Sequence, residues 1–195
     1  MRIIAGEHRG RVLKAPKGEG TRPTTDRVRE SLMSALASAR GGFDGAVALD
    51  AFAGSGALGL EALSRGAAWA CAFEVDGAAA AVVRANAELL GYGADRFRLV
   101  KADALERQAP LPPAGARYDL VMLDPPYALP AADALGVAAR LGSHGLLADG
   151  CLISYEHDVA SNDEVDACLE GLPLRLRSRR AFGSTAVDLI EREER

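Results

Sequence analysis

Short apolar runs alternate with amphipathic segments through most of this chain, and the alternation predicts its architecture. Mostly apolar runs predict β-strands, whereas apolar residues three and four positions apart predict the helices between them. Strands are expected at 47–50, 70–76, 97–100, 118–123 and 151–156, and helices at 58–63, 79–90, 131–141 and 164–169. Strands that alternate with helices form a doubly wound, mostly parallel sheet with right-handed crossovers.

The first forty residues carry a pattern of a different kind. Two short β segments, 2–5 and 11–15, predict a hairpin that is too small to bury a core of its own, so it should dock on the body or on a partner. A helix capped by Thr25 or Asp26 should follow, with an apolar stripe formed by Val28, Leu32, Leu36 and Ala39. Arginines crowd the first turn of this helix, which is unfavourable beside the positive end of a helix dipole and points to an anionic neighbour.

The C-terminal pattern predicts two long strands, 174–182 and 185–191, that pair as an antiparallel hairpin at one edge of the sheet. We therefore predict a Rossmann-like α/β sheet, mostly parallel with an antiparallel C-terminal hairpin, plus a small N-terminal β-hairpin. The predicted boundary separates a basic hairpin extension, residues 1–24, from the α/β domain, residues 25–195.

A glycine-rich turn joins the first predicted strand to its helix. Gly54, Gly56 and Gly59 allow backbone angles that a Cβ forbids, and they let the main chain approach a ligand at the positive end of a helix. The same spacing, followed by an acid at Glu74 about 20 residues on, is also the dinucleotide fingerprint. Glycine spacing alone therefore does not separate a nicotinamide cofactor from S-adenosylmethionine.

Asp50, at the end of the strand before this turn, favours the methyl donor. A fixed carboxylate there would face the two phosphates of NAD, but it would suit the α-ammonium and the sulfonium of S-adenosylmethionine. At roughly 5 Å and an effective dielectric constant of about 20, each pair of unit charges contributes about 3 kcal/mol, repulsive in the first case and attractive in the second. The pattern therefore predicts a class I S-adenosylmethionine-dependent methyltransferase fold.

Acidic side chains lie at or just after the ends of four successive predicted strands, at Asp50, Glu74, Asp103 and Asp124. The carboxyl ends of parallel strands meet at one edge of a doubly wound sheet, where ligands bind. We assign Glu74 to the ribose hydroxyls and Asp103 to the adenine amino group. The methionine part is assigned to the glycine turn, through Gly54 and Gly56. The predicted cofactor site is completed by the neighbouring residues Phe52, Val75 and Ala104.

The segment Asp124-Pro125-Pro126-Tyr127 carries the predicted chemistry. Methyl transfer to an exocyclic amine needs the amine lone pair freed from the ring and aimed at the methyl carbon, since the sulfonium is already activated. Asp124 can accept one amine N–H and the carbonyl of Pro125 the other, while the prolines stiffen the turn. A base stacked on Tyr127 gains about 1–3 kcal/mol. The base must therefore be unpaired or flipped out of its helix.

Charge is distributed unevenly along the chain. Residues 1–40 hold nine basic and four acidic residues, a net charge of +5, so the remainder carries −9 within a total of −4. A basic end on an acidic body favours a polyanionic partner, of which a nucleic acid is the usual candidate. A solvated basic surface without a partner is the alternative.

Several segments together resemble the RsmD family of 16S ribosomal RNA guanine-N2 methyltransferases. The resemblance is carried by residues 2–6, 9–11, 22–30, 50–62, 74–76 and 124–127. It implies that the acceptor is the N2 amine of a guanine in 16S ribosomal RNA, within the small ribosomal subunit or its assembly intermediates. It also implies that the N-terminal hairpin holds the RNA, with contacts from Arg9, Arg11, Arg22 and Arg27.

One turn departs from the family pattern. The family usually has Tyr-Gly-Asp-Thr near the C-terminal hairpin, and here Phe182-Gly183-Ser184-Thr185 stands there. A phenol and a carboxylate are lost, which puts a polar role of the turn in question without touching the cofactor site. Two alternatives, phosphate contacts or solvated side chains on an edge strand, stay open for Arg175, Arg177, Arg179 and Arg180.

The cysteines, the histidines and the length of the apolar runs bear on metal binding and on the cellular location of the protein. Three cysteines without Cys-x-x-Cys spacing, and three histidines that form no cluster with them, argue against disulfides and against a structural zinc site, so no metal is expected. No apolar run approaches the roughly 18 residues of a membrane helix, and the N-terminus has no signal-peptide pattern. We therefore expect a monomeric cytoplasmic enzyme with no membrane partner.

Four other functions compete with this interpretation. An adenine-N6 nucleic-acid methyltransferase uses the same Asp-Pro-Pro-Tyr motif, but no sizeable target-recognition insertion follows Tyr127. A glutamine methyltransferase favours Asn at position 124. A non-catalytic RNA-binding assembly factor predicts an eroded cofactor site, and a nicotinamide oxidoreductase is disfavoured by Asp50 and Asp124.

Overall fold

The computed structural model describes residues 1–16 and 26–193, in which one seven-stranded sheet carries helices on both faces. The strands are β1 (Val47–Asp50), β2 (Trp69–Phe73), β3 (Phe97–Val100), β4 (Tyr118–Leu123), β5 (Leu147–Asp158), β6 (Leu174–Phe182) and β7 (Thr185–Arg192). The α-helices are α1 (Asp26–Arg40), α2 (Ala57–Ser64), α3 (Gly77–Leu89), α4 (Ala131–Ser143) and α5 (Asn162–Glu170). The predicted cap Thr25 and the predicted boundary at residue 24 lie outside the described residues.

The strand order is β3-β2-β1-β4-β5-β7-β6. Strands β1 to β5 are parallel, whereas β7 runs antiparallel to β5 and β6 antiparallel to β7. After β3 the chain returns to the other side of β1 to form β4, so the strand order reverses between β1 and β4. The predicted mostly parallel sheet with an antiparallel C-terminal hairpin is confirmed, and this reversal is where such a sheet binds ligands.

Successive residues of β4 enter two separate cores. Leu120 and Met122 pack in the core that helices α1, α2 and α3 cover, whereas Val121 and Leu123 pack in the core that α4 and α5 cover. A side-chain period of two is typical of a strand that is buried on both faces. Among the described residues, no helix is both long enough and apolar enough to cross a membrane.

Helix α1 runs from the carboxyl end of the parallel strands to their amino end. Arg40, in its last turn, donates from Nη2 to Oδ2 of Asp119 at the start of β4, at 2.8 Å. The first turn of α1, which contains Arg29, therefore lies near the carboxyl end of β4. The predicted apolar stripe of this helix is buried at Val28, Leu32 and Leu36 and half-buried at Ala39.

Strand β5 departs most from its predicted boundaries. It begins at Leu147 and ends at Asp158, whereas the apolar run predicted only 151–156. Its early residues include the exposed pair Asp149-Gly150, and its register with β4 shifts before Leu152. Hydrophobicity alone therefore does not predict the first four residues of this strand, 147–150.

The predicted N-terminal strands are reduced to a single β-bridge between Arg2 and Val12, so the prediction of two β segments was wrong in extent. The buried carboxylate of Glu61 in α2 instead accepts the N–H groups of Ile4, at 2.7 Å, and Ala5, at 3.0 Å. Backbone donors that satisfy a helix carboxylate cannot also pair with a second strand, which limits the ladder.

The N-terminal segment is docked on the body. Ile3 and Leu13 are buried in the same core as α1, α2 and α3. Gly6 has a φ of +84°, and a Cβ there would lie 1.7 Å from the carbonyl oxygen of Ser64. Only glycine permits this approach.

Asn86 of α3 joins the second arm of this segment to the glycine turn. Its Oδ1 accepts the N–H of Lys14 at 2.8 Å, and its Nδ2 donates to the carbonyl oxygens of Lys14 and Ser55 at 2.9 Å. Ser55 also donates from Oγ to Sδ of Met1 at 3.0 Å. The N-terminus is thereby fixed beside the turn that follows β1.

Candidate active site

A cavity of about 640 Å³ opens at the carboxyl ends of β1, β2, β4 and β5 and beside the loop after β3. It is lined by Phe52, Gly54, Glu74, Val75, Asp103, Ala104, Asp124, Pro125, Pro126 and Tyr127. The structure therefore brings together all the predicted cofactor and catalytic residues except Asp50 and Gly56, which lie behind the wall of the cavity. Loop residues after β1, β2 and β3 contribute to one half of the cavity, and the loop after β4 and Glu156 near the end of β5 contribute to the other.

Glu74 fastens the end of β2 to the glycine turn. Its Oε2 accepts the N–H of Gly54 and its Oε1 accepts the N–H of Asp76, both at 2.8 Å. A carboxylate oxygen has a second lone pair, so both oxygens keep acceptor capacity for the hydroxyls of a ligand. Beside it, Val75 is 65% exposed and Phe52 is half-buried, which gives this half of the cavity apolar walls.

Asp103 is fixed by its own loop. Its Oδ1 accepts the N–H of Leu105 at 2.8 Å, two residues on, in the manner of an Asx-turn. The neighbouring Ala104 is buried and lines the same wall. Asp103 therefore presents a carboxylate of fixed orientation to the cavity.

Asp50 is completely buried beneath the turn. Its Oδ2 accepts the N–H of Gly59 at 3.0 Å, which ties the first turn of α2 to the end of β1, and its Oδ1 has no hydrogen bond. Burial raises the pKa of Asp50 to about 7, and the carboxylates of Asp124 and Glu74 add to the rise. The side chain thus holds a charge at neutral pH only at a cost in free energy.

Gly56 is also behind the wall. Gly56 is the N-cap of α2 and has a φ of +79°. A Cβ at this position would lie 3.0 Å from Cγ1 of Val83 in α3. Glycine at this position permits close packing of the turn on α3.

The acceptor motif emerges from the end of β4. Asp124 is half-buried, Pro125 is buried, and Tyr127 is 38% exposed. The hydroxyl of Tyr127 lies 2.7 Å from Oγ1 of Thr185, and burial raises the pKa of its phenol. The ring is therefore held by its hydroxyl end while much of the side chain stays accessible.

Sequence reasoning missed two residues of this half, Glu156 and Thr185. The register of β4 with β5 pairs Leu123 with Tyr155, so Asp124 and Glu156 emerge side by side, and Glu156 is only 6% exposed. The strand-end rule that selected four other acids would have found Glu156 if it had been applied to the fifth strand. Thr185, like Gly183, is a residue of the C-terminal turn that keeps the family pattern.

A third missed residue, Arg29, lies in the first turn of α1 and is 1% exposed. It lines the cavity, and no other basic side chain does so among the described residues. Its Nη2 donates to Oδ1 of Asp26, at 2.9 Å, and to the carbonyl oxygen of Arg2, but Nε and Nη1 have no partner. The crowded arginines of this helix turn were the signal in the sequence.

The predicted RNA-contacting arginines stand apart from the cavity. Arg9, Arg11 and Arg27 are exposed, and none of them lines it. The loop that carries Arg9 sits on the last residue of α2, because Ser64 accepts the N–H of Glu7 with its carbonyl, at 2.8 Å. Ala57 and Leu58 of α2 line the cavity, and the remaining six residues of the helix place its last residue about 9 Å further along the helix axis. Arg22 lies outside the described residues.

Three of the four C-terminal arginines are engaged in ion pairs. Arg175 and Arg177 both contact Glu191, and Arg179 contacts Asp188 at 2.7 Å and Asp166 at 2.8 Å. The guanidinium of Arg179 helps to hold the pKa of buried Asp188 below its usual range despite burial. These contacts favour a structural role on the edge strand over phosphate binding.

Known proteins resemble this chain over its whole length. The profile of the family described as "Conserved hypothetical protein 95" matches residues 1–191. The "Ribosomal RNA small subunit methyltransferase D" of Escherichia coli (strain K12) is 38% identical over 195 residues, which cover 99% of this chain and 90% of that protein.

Two solved structures extend the comparison. The structure described as "Putative methyltransferase yhhF from Escherichia coli" aligns with a TM-score of 0.77 at 35% identity and covers 100% of this chain and 99% of that one. The hypothetical protein TTHA0928 of Thermus thermophilus aligns with a TM-score of 0.71 at 31% identity, over 97% of this chain and 98% of that one. The family match includes both halves of the cavity. The chain therefore belongs to the Conserved hypothetical protein 95 family, the family of ribosomal RNA small subunit methyltransferase D that its motifs resemble.

Proposed function

We propose that this protein transfers a methyl group from S-adenosylmethionine to the exocyclic N2 amine of a guanine in 16S ribosomal RNA. The observation that carries the proposal is a single cavity in which the acids after β2 and β3 face the Asp-Pro-Pro-Tyr turn after β4. The name of the E. coli relative supports the small-subunit RNA as substrate. The protein would act as a monomer in the cytoplasm, on the small subunit or on an assembly intermediate.

The chain's own residues fit the cofactor. The cavity volume of about 640 Å³ suits a ligand of this size. Glu74 accepts from the ribose hydroxyls and Asp103 from the adenine amino group, while Phe52 and Val75 flank the flat base. Acids around the cavity favour a cofactor that carries an ammonium and a sulfonium over one that carries two phosphates. When bound, S-adenosylmethionine supplies an activated methyl group.

The turn after β4 positions the acceptor. Asp124 and the carbonyl of Pro125 accept the two hydrogens of the amine, which frees its lone pair and directs it toward the cofactor half of the cavity. Tyr127 stacks on the base, with its ring held by Thr185. No strong base is required, because Asp124 can take the proton that the methylated amine loses.

Glu156 favours guanine over adenine. Guanine presents two neighbouring donors on its Watson–Crick edge, N1–H and the N2 amine, whereas adenine has an acceptor at N1. Because Glu156 emerges beside Asp124, the two carboxylates can accept from both donors at once. In the alternative, an adenine-N6 methyltransferase, the carboxylate of Glu156 would face the N1 atom of adenine. Both groups are hydrogen-bond acceptors, so they would repel each other.

A variant of Asp124 tests the proposal, because it separates cofactor binding from transfer. For Asp124→Ala we expect the Kd of S-adenosylhomocysteine, measured by calorimetry, to stay within about threefold of wild type. Transfer of labelled methyl groups to small subunits that lack the mark should fall at least about 100-fold.

The control is Asp149→Ala, which removes an exposed carboxylate at the opposite edge of the sheet and should change neither quantity. Wild-type transfer by Asp124→Ala would contradict the assigned role of Asp124. Failure of the wild-type protein to bind S-adenosylhomocysteine would contradict the cofactor assignment.

A further inference from the structure

We propose that Arg29 binds the α-carboxylate of the cofactor's amino-acid end. The inference rests on the proposed cofactor and assigns a residue that neither the glycine turn nor the Asp-Pro-Pro-Tyr motif includes. Arg29 is buried, lines the cavity and keeps two guanidinium nitrogens, Nε and Nη1, without a partner. A buried cation with unused donors is costly unless a ligand satisfies it.

The protein itself compensates Arg29 only in part. Asp26 pairs with Nη2 alone, and its side chain is about half exposed, so solvent weakens the pair. The other partner of Nη2 is a neutral carbonyl, that of Arg2. The N–H groups of Nε and Nη1 are therefore still available to an anion.

The glycine turn has few donors left for a carboxylate. The N–H of Gly54 is taken by Glu74, that of Gly56 by the carbonyl of Ala53 at 2.7 Å, and that of Gly59 by Asp50. The α-carboxylate is the only negative group of the cofactor, and four acids line the same cavity. A basic side chain is therefore needed at the methionine end, and Arg29 is the one that the described lining supplies.

The position of Arg29 agrees with this assignment. Its guanidinium binds the carbonyl of Arg2, and the preceding residue, Met1, binds Ser55 within the glycine turn. Arg29 is thus linked through two residues to the turn that cradles the methionine part.

Other occupants fit less well. A phosphate belongs to a continuous RNA backbone that cannot follow it into the cavity, so it would meet the exposed Arg27 rather than Arg29, which is 1% exposed and faces the cavity. The O6 and N7 atoms of guanine could accept from a guanidinium, but they are neutral. A carboxylate forms stronger, charge-assisted hydrogen bonds with the free N–H groups of a guanidinium.

The test compares two ligands that differ only in the carboxylate: S-adenosylhomocysteine and its decarboxylated form, which keeps the ammonium. Calorimetry measures both Kd values for wild type, Arg29→Met, Arg29→Lys and the control Arg27→Met. Arg29→Met should weaken S-adenosylhomocysteine by about 10- to 100-fold and leave the decarboxylated ligand within about twofold. Arg29→Lys should lie between, and Arg27→Met should leave both Kd values at the wild-type level, because Arg27 does not line the cavity.

Each other outcome has a distinct meaning. An equal loss for both ligands would overturn the inference and make Arg29 a structural residue. Unchanged binding of both ligands, with a raised KM for RNA, would overturn it in favour of a contact with the acceptor. If Arg29→Met does not fold, Arg29→Lys decides: it should weaken S-adenosylhomocysteine more than the decarboxylated ligand, because lysine keeps the charge but lacks the N–H groups of Nε and Nη1. If wild type binds neither ligand, the proposed cofactor itself is wrong.

Discussion

The two halves of the cavity are held in place in different ways. In the cofactor half, each acid is fixed by backbone N–H groups nearby, as Glu74 is by Gly54 and Asp76. In the acceptor half, Tyr127 is held by Thr185, a side chain 58 residues further along the chain. The acids of the first half are held by backbone N–H groups of the turns after β1, β2 and β3, whereas Tyr127 of the second half is held by a side chain that the pairing of β4, β5 and β7 brings near it. The binding of the cofactor and the positioning of the acceptor should therefore respond to different substitutions.

Glu156→Ala should have the largest effect and should act on the acceptor half alone. Removing the acceptor for guanine N1–H should lower kcat/KM for unmodified small subunits by about 100-fold, because a charge-assisted hydrogen bond is lost. Calorimetry with S-adenosylhomocysteine should give an unchanged Kd. Glu156→Gln keeps a carbonyl acceptor and should retain more activity; equal activity of the two variants would argue against the hydrogen bond to N1.

Glu74→Ala should produce the opposite pattern. The loss of the ribose contact and of the brace on Gly54 should weaken S-adenosylhomocysteine by about 30-fold. At saturating cofactor, kcat should stay within about threefold of wild type. A fall in kcat at saturation would show that the two halves are coupled, which would weaken the comparison.

Asp50→Asn should change stability in a pH-dependent way. Because the pKa of Asp50 is raised from 3.8 to about 7, the folded state binds its proton more tightly than the unfolded state. The contribution of Asp50 to the free energy of unfolding of the wild type is therefore present below about pH 4, decreases as the pH rises from about 4 to 7, and is lost above 7. Asparagine carries no charge, so its free energy of unfolding does not depend on this titration. From pH 5 to pH 8, the stability of Asp50→Asn relative to wild type should therefore increase by about 2 kcal/mol.

Urea unfolding of both proteins at the two pH values measures this difference. Asp149→Asn is the matched control, since its carboxylate is exposed and should give no such gain. A pH-independent difference between wild type and Asp50→Asn would mean that Asp50 is ionised without cost.

Thr185→Val should have the smallest effect. It removes the hydrogen bond to Tyr127 but keeps the shape of the side chain, so KM for the small subunit should rise about threefold. The Kd of S-adenosylhomocysteine should not change. A change in cofactor affinity would show that the C-terminal turn acts beyond the acceptor half.

This difference between the halves also explains what the sequence could predict. The alternation of strands and helices, both hairpin strands of the C-terminus and the acids after β2, β3 and β4 follow from hydrophobic period and strand-end position, which are local patterns. Thr185 and Glu156 enter the site through strand pairing, and no local pattern encodes a register. Glu156 was nevertheless within reach of the strand-end rule.

The N-terminal segment was predicted least well. Its apolar alternation predicts strands, but the segment hydrogen-bonds to the side chains of Glu61 and Asn86 on two helices. The sequence shows that Glu61 lies on an otherwise apolar helix, but it does not indicate which backbone N–H groups will donate hydrogen bonds to its carboxylate. The buried position of Arg29 is likewise a tertiary effect, although the unfavourable arginines of its helix turn indicated an anionic neighbour.

The central claim is that one cavity joins a methyl donor to the N2 amine of a guanine. The most direct measurement is mass spectrometry of 16S ribosomal RNA after small subunits that lack the mark are incubated with the protein and S-adenosylmethionine. The account predicts one N2-methylguanosine in 16S ribosomal RNA, absent when Asp124→Ala replaces wild type. An N6-methyladenosine, or no new methyl group despite measured binding of S-adenosylhomocysteine, would contradict it.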